Sequence, residues 1–140
     1  RGAILGLRLD TTAAEIYRAL IEGITFEMAY NIEFLNKAGI TVTQLRAVGG
    51  GAKSSYWLKI KSDITNCRII SLDIEEAGIT GAAILAGVAM GIFKDINDAA
   101  PNFIREKLVI DPDPKQHEIY LEHYHRYKKA REALADLYKR

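Results

Sequence analysis

The chain has 140 residues, 49% hydrophobic and 26% charged, a balance that suits one soluble globular domain. Its 19 Lys and Arg against 18 Asp and Glu leave a net charge of +1, which removes any electrostatic case for nucleic acid or an acidic membrane as partner. The single cysteine, Cys67, excludes an internal disulfide framework and suits a reducing, cytoplasmic setting; no apolar run is long enough to span a bilayer.

The first residues, Arg1-Gly2-Ala3-Ile4-Leu5-Gly6, show neither an initiator Met nor a signal-peptide layout, so the chain reads as a piece of something longer. Ala3 to Leu7, apolar between glycines, predicts a strand. Thr12-Ala13-Ala14-Glu15 is a capping box, a hydroxyl at the N-cap with a carboxylate three residues on. Behind it Ile16, Leu20, Ile24 and Met28 recur at helical spacing, continued by Ile32 and Leu35. This predicts a helix from about residue 12 to 37, stopped by a left-handed Gly39.

Gln44 to Val48 reads as a strand, and Ser54 or Ser55 as the cap of a helix reaching about Asn66. Cys67 to Leu72 reads as another strand. Asp73 or Glu75 opens a helix from Glu76 to Met90, stopped by Gly91. Its small residues, Gly78, Gly81, Ala82, Ala83, Ala86, Gly87 and Ala89, predict close approach to another backbone or a ligand, since interior glycine costs ~1 kcal/mol relative to alanine. A short helix covers Asn97 to Ile104. Asp111-Pro112-Asp113-Pro114 is a turn, and Lys115 to Tyr138 an amphipathic helix carrying Ile119, Tyr120, Tyr124, Tyr127 and Leu134. Strand and helix alternate, which predicts a small, largely parallel sheet flanked by helices, incomplete for an α/β fold of this kind.

The strongest chemical signal is Val48-Gly49-Gly50-Gly51-Ala52-Lys53-Ser54-Ser55. A strand that runs into glycines and then a helix start brings bare backbone to the carboxyl edge of a sheet, where open α/β sheets bind ligands. Free N–H groups at the helix start favour an anion or a ring acceptor. Walker A spacing fails, because Ala47 stands where its first glycine belongs. The dinucleotide fingerprint fails at Ser54. By itself the turn has two readings, a ligand cradle or a tight strand-to-helix connection that binds nothing.

The motifs together resemble the FGGY carbohydrate kinases. Gly2-Ala3-Ile4-Leu5-Gly6-Leu7, followed after seven residues by Glu15-Ile16-x-x-Ala19-x-Ile21-Glu22, is similar to that family's C-terminal signature, with Leu20 where a smaller or β-branched residue is usual. Gly49 to Ser54 resembles its adenosine motif. Glu75-Glu76-Ala77-Gly78 through Gly81-Ala82-Ala83 is similar to the small-residue helix beside it, and the tyrosine-bearing last helix fits its C-terminus. The closest flavour is xylulokinase-like. The resemblance implies an α/β, ribonuclease-H-like (actin-like ATPase) C-terminal domain, with residues 1–140 as the nucleotide-binding part of a two-domain sugar kinase. It implies transfer of the γ-phosphoryl of Mg-ATP to a sugar hydroxyl. Gly49, Gly50, Gly51, Ala52, Lys53, Ser54 and Ser55 would then form the ATP/ADP site. Ser55 stands where relatives place an asparagine against adenine. Lys53 either flanks the ribose and phosphates or is a solvated lysine. Tyr56 and Trp57 either wall the base or pack the helix.

The resemblance also implies that the general-base Asp, the phosphate loops and most of the sugar site, which in this family precede the region matched, lie elsewhere. Asp10 and Asp73 read as helix-entry residues and Asp63 as a helix-surface residue, so no catalytic residue is assigned. Mg2+ would be held mainly by parts absent from this chain. His117, His123 and His125 lack the spacing of a metal site and read as solvated. Cys67 reads as inert in an apolar strand. Missing sheet neighbours predict exposed apolar surface and a homo-oligomer. The rival class is a non-catalytic α/β interaction module that docks a partner on its tyrosine helix.

Overall fold

A computed structural model describes residues 2–74 and 76–138, without the side chains of residues 137 and 138. Glu75, a candidate opener of the small-residue helix, lies outside the described residues. The first segment forms no strand. Residues 2–7 are exposed and irregular, with Ile4, Leu5 and Leu7 about half in solvent. No neighbouring strand supplies backbone partners, and β propensity without a partner makes no ladder.

Helix α1 spans Ala13–Lys37 and begins on the expected box: Thr12 Oγ1 accepts from Glu15 N at 3.2 Å, while Glu15 Oε2 accepts from Thr12 N at 2.7 Å. The bond from Thr12 N, and next a bond that Thr12 Oγ1 donates to the same carboxylate at 2.8 Å, lower the Glu15 carboxyl pKa. Gly39 takes a left-handed φ of 85° just past the helix end. Strand β1 (Gln44–Ala47) leads through Gly49 into a 3-10 turn at Gly50–Ala52 and then α2 (Ser55–Thr65). Strand β2 is Arg68–Leu72, α3 Ala77–Ala89 and α4 Ile96–Phe103. The sequence reading missed β3 (Glu106–Ile110). Helix α5 spans Pro114–Tyr138, and Asp113 Oδ1 accepts from Lys115 N at 2.9 Å at its start.

The sheet order is β1-β2-β3. β1 and β2 are parallel, Gln44 opposite Arg68 and Ala47 opposite Ser71, but β3 runs antiparallel along the other side of β2. The sheet is therefore mixed, because its third member is β3 and not the N-terminal segment. β2 is the central strand, and its Ile69, Ile70 and Ser71 are buried. Helix α2 packs on β2 and β3, and α1 and α5 pack on α2. Leu58 and Ser62 of α2 are fully buried, and Ser62 Oγ donates to the Cys67 carbonyl at 2.8 Å. Cys67 is 1% exposed and burial raises its thiol pKa, which fits an inert cysteine.

Of the stripe the spacing suggested, Ile32 is buried, but the rest of the core face of α1 is Ile21, Thr25 and Phe26. Leu20 is 50% and Ile24 59% exposed. With Ile16 they instead line a groove of about 660 Å³ shared with residues 2–5, Tyr127 and Leu134. Helix α1 is apolar on two faces, and periodicity could not say which one meets α2 and α5. Among the α3 glycines only Gly87 meets a close neighbour: a Cβ there would lie 2.8 Å from the Phe93 ring. Gly78 and Gly81 face open space, so no other described backbone approaches the helix at those two positions.

Three tyrosines of α5 close on α1. Phe26 lies among Tyr120, Tyr124 and Tyr127, with ring centroids 5.4 to 6.2 Å away. Each hydroxyl donates to an α1 carboxylate: Tyr120 to Glu22 at 2.8 Å, Tyr124 to Glu33 at 2.8 Å, and Tyr127 to Glu27. Burial, then the neighbouring carboxylate, raises all three phenol pKa values, Tyr120 to about 12. Arg18 donates to Glu22 and to the Tyr56 and Tyr120 hydroxyls, and these bonds outweigh the burial that opposes its charge.

Candidate nucleotide site

The three glycines of the turn after β1 differ in what the fold asks of them. Gly49 has φ 76° and ψ −165°, a region essentially closed to residues with a Cβ. Gly51 is crowded, since a Cβ would lie 3.3 Å from Trp57 Cζ3 and 3.4 Å from Lys61 Nζ and one of these would have to give slightly. Gly50 is exposed, has no positive φ, and a Cβ on it would meet nothing within 4 Å. The fold makes no demand for glycine at position 50.

Backbone bonds tighten the turn: Ala52 N donates to Gly49 O at 3.0 Å, and Lys53 N to Gly50 O at 3.2 Å. Ser54 caps α2 as expected, its Oγ accepting from Trp57 N at 3.2 Å. Trp57 packs inward against the core, its Nε1 donating to Thr25 Oγ1 at 3.2 Å with Lys61 Nζ over its ring at 4.2 Å. Burial lowers the Lys61 pKa. Tyr56 stays 55% exposed beside Arg18. Trp57 is thus a packing residue, which resolves the open alternative for it.

A cavity of about 420 Å³ opens beside the turn. Gly49, Ala52, Lys53 and Ser55 line it from one side. Ser71, Leu72, Asp73 and Ile74 line it from the end of β2, and Lys107 and Leu108 from β3. It therefore lies off the carboxyl ends of two adjacent parallel strands, with Ala47 opposite Ser71. Of the seven residues expected at the site, four line this cavity. Gly50 is exposed next to it in the chain, Gly51 supports Trp57, and Ser54 holds the helix start. The residues beyond β2 and on β3 were missed, because nothing local in the sequence ties them to the glycine turn.

The aspartates take structural places, two of them unforeseen. Asp63 is not a surface residue: it is 5% exposed, and its Oδ1 accepts from Lys59 Nζ at 2.6 Å and from Asp113 N at 2.8 Å. His117 is not merely solvated either, because its Nδ1 lies 2.8 Å from the Asp63 carbonyl. Together these contacts fasten the start of α5 to α2. Asp73 does not open a helix. It follows β2, its N donating to Arg105 O at 2.8 Å and its carboxylate lying 3.4 Å from Lys107 Nζ. Asp10 pairs with Arg8 at 3.1 Å, and Thr12 is the cap.

Among the described residues, no group of three or more His, Cys, Asp or Glu is arranged to hold a metal ion. Among the described residues lining the cavity the one acid, Asp73, is paired with a lysine, a poor donor set for Mg2+. A nucleotide suits the cavity better: pockets of ~300–1,000 Å³ hold ligands of that size, and this one offers bare backbone, two hydroxyls and two lysines.

Comparison with known proteins agrees with this architecture. Residues 1–90 match the FGGY family of carbohydrate kinases, C-terminal domain. The xylulose kinase of Staphylococcus epidermidis is 37% identical over 141 aligned residues, covering 98% of this chain and 28% of that protein. Among solved structures, a xyloylose kinase from Brucella ovis superposes with a TM-score of 0.86 at 31% identity, covering 98% of this chain and 28% of that one. The gluconate kinase of Lactobacillus acidophilus gives 0.85 at 30% identity, covering 96% and 27%. The fold is an α/β, actin-like ATPase fold of the sugar-kinase type. The chain belongs to the FGGY family of carbohydrate kinases and matches its C-terminal domain. It spans 28% of the length of the first curated relative it matches. Among the described residues no helix is long and apolar enough to cross a membrane.

Proposed function

We propose that residues 1–140 are the nucleotide-binding part of a cytoplasmic, ATP-dependent sugar kinase that transfers the γ-phosphoryl group to a hydroxyl of a pentulose or related sugar. The observation that carries this reading is the cavity off the carboxyl ends of β1 and β2, lined by Gly49, Ala52, Lys53 and Ser55. Gly49 sets the bend, Gly51 yields to Trp57, and Gly50 leaves main chain open to a ligand. ATP or ADP lies with its base and ribose against this turn; Lys53 and Ser55 contact it from α2's start. The tyrosines that could have made α5 a docking helix are engaged with α1, which weakens the rival interaction module.

Phosphoryl transfer needs a base at the sugar hydroxyl and charge stabilisation around the moving group. Asp63 is buried and bonded to Lys59 and Asp113, while Asp10 and Asp73 are exposed beside Arg8 and Lys107; none is assigned as the base. The proposal places that base, the sugar site and the principal Mg2+ contacts outside this chain. It also includes self-association, supported by the exposed Ile79, Leu85, Met90 and Ile92 on and after α3.

Titration of the labelled chain with ADP tests the proposal. The amide signals of Gly50, Gly51 and Ser54 should shift with saturation, while the chain offered ATP and pentuloses makes no ADP above a boiled control. Unmoved amides would sink the nucleotide reading, and turnover would sink the placement of the base. A monomer mass by light scattering at high micromolar concentration would count against self-association.

A further inference from the structure

β3 carries a defect at the rim of the cavity. Ser71 of β2 pairs with Leu108, but the next residue, Leu72, pairs with Glu106, so Lys107 is the extra residue of a β-bulge. In a regular strand successive side chains point to opposite faces. Here Lys107 and Leu108, adjacent in sequence, both line the same cavity. Bulges are frequent beside binding sites because they re-aim a side chain. The Lys107 ammonium lies 3.4 Å from Asp73 Oδ1, in a loose pair whose side chains are 68% and 64% exposed. Such a pair contributes little to stability and is readily exchanged for another anion. Across the cavity stand Lys53 and the glycine turn.

We propose that Lys107 is a nucleotide-binding residue that takes the phosphate end of the ligand, releasing Asp73 when it does so. This rests on the nucleotide reading of the cavity and adds to it a cation from β3, with Asp73 as the anion that competes for it. The diphosphate of ADP carries the charge that Lys107 recognises; adenosine does not.

The test titrates the labelled chain with ADP and with adenosine, following the Gly50 and Gly51 amides. Lys107→Gln should raise the ADP dissociation constant about fivefold and leave the adenosine constant within about twofold. Asp73→Asn should tighten ADP about two- to threefold by removing the competing carboxylate. Lys94→Gln, which removes one charge from a residue lining neither cavity, should leave both constants unchanged. Amide dispersion equal to that of the parent chain shows that each variant is folded. The proposal falls if Lys107→Gln matches Lys94→Gln, or if it weakens adenosine as much as ADP. Parent-chain amides that ignore ADP would overturn the nucleotide reading itself, a result distinct from either.

Discussion

Between α1 and α5 each buried tyrosine hydroxyl meets a carboxylate, and Phe26 fills the space among the rings. At the turn after β1 the main chain of Gly50 is exposed, and a side chain there would touch nothing. In the seam, side chains complete one another and the fold is stabilised. At the turn, side chains are withheld, and the surface stays open to something outside the chain. A buried polar group must find its partner inside the protein, since leaving it unpaired costs ~1–3 kcal/mol. An exposed backbone has water meanwhile and can wait for a ligand.

The contrast can be broken most forcefully at the seam. Phe26→Ala removes the ring on which three tyrosines pack and should cost about 3–5 kcal/mol in urea denaturation. A loss below about 1 kcal/mol would show that the seam is not the stabilising region. The turn should respond in two directions. Gly49→Ala forces a Cβ into a glycine-only conformation and should cost about 1–3 kcal/mol. Gly50→Ala should be neutral or stabilising by up to about 1 kcal/mol, yet weaken ADP binding. Were Gly50→Ala to bind ADP as the parent does, the open turn would be a connection and nothing more.

The smallest effect concerns pH. Glu33 accepts hydrogen bonds from Lys37, Tyr124 and Lys128, and these hold its carboxyl pKa at about 2 instead of the ordinary 4.5. A lowered folded-state pKa contributes stability that is present above pH 4.5 and lost as pH falls toward about 2. The parts of this cluster that reach solvent are screened, so the gain is modest. The urea midpoint of Glu33→Gln should fall less steeply than the parent's across that window. Equal slopes would remove Glu33 from the seam's account.

Much of the architecture was legible because it is local. The Thr12–Glu15 box, the Ser54 cap and the left-handed Gly39 and Gly91 each act within a few residues, and each appears where expected. The phase of α1 was not legible, because Ile16, Leu20 and Ile24 form as good a stripe as the buried Ile21, Thr25 and Phe26. Strand β3 was not legible either. It is short, mostly exposed and defined by its pairing to β2, so its five residues carry no buried alternation to read. Asp63 looked like a surface residue because two of its partners, Asp113 and His117, come from about fifty residues away.

The sequence by itself determined the helices, the glycine turn and the kinship with sugar kinases, since caps, glycines and ordered motifs act through neighbours along the chain. Only the tertiary structure decided that the third strand is antiparallel, that Gly51 yields to Trp57, and that Lys107 and Asp73 share a cavity with the turn. Those outcomes depend on residues distant in sequence meeting in space. No local pattern encodes such a meeting; packing of α2 against β2 and β3 brings it about.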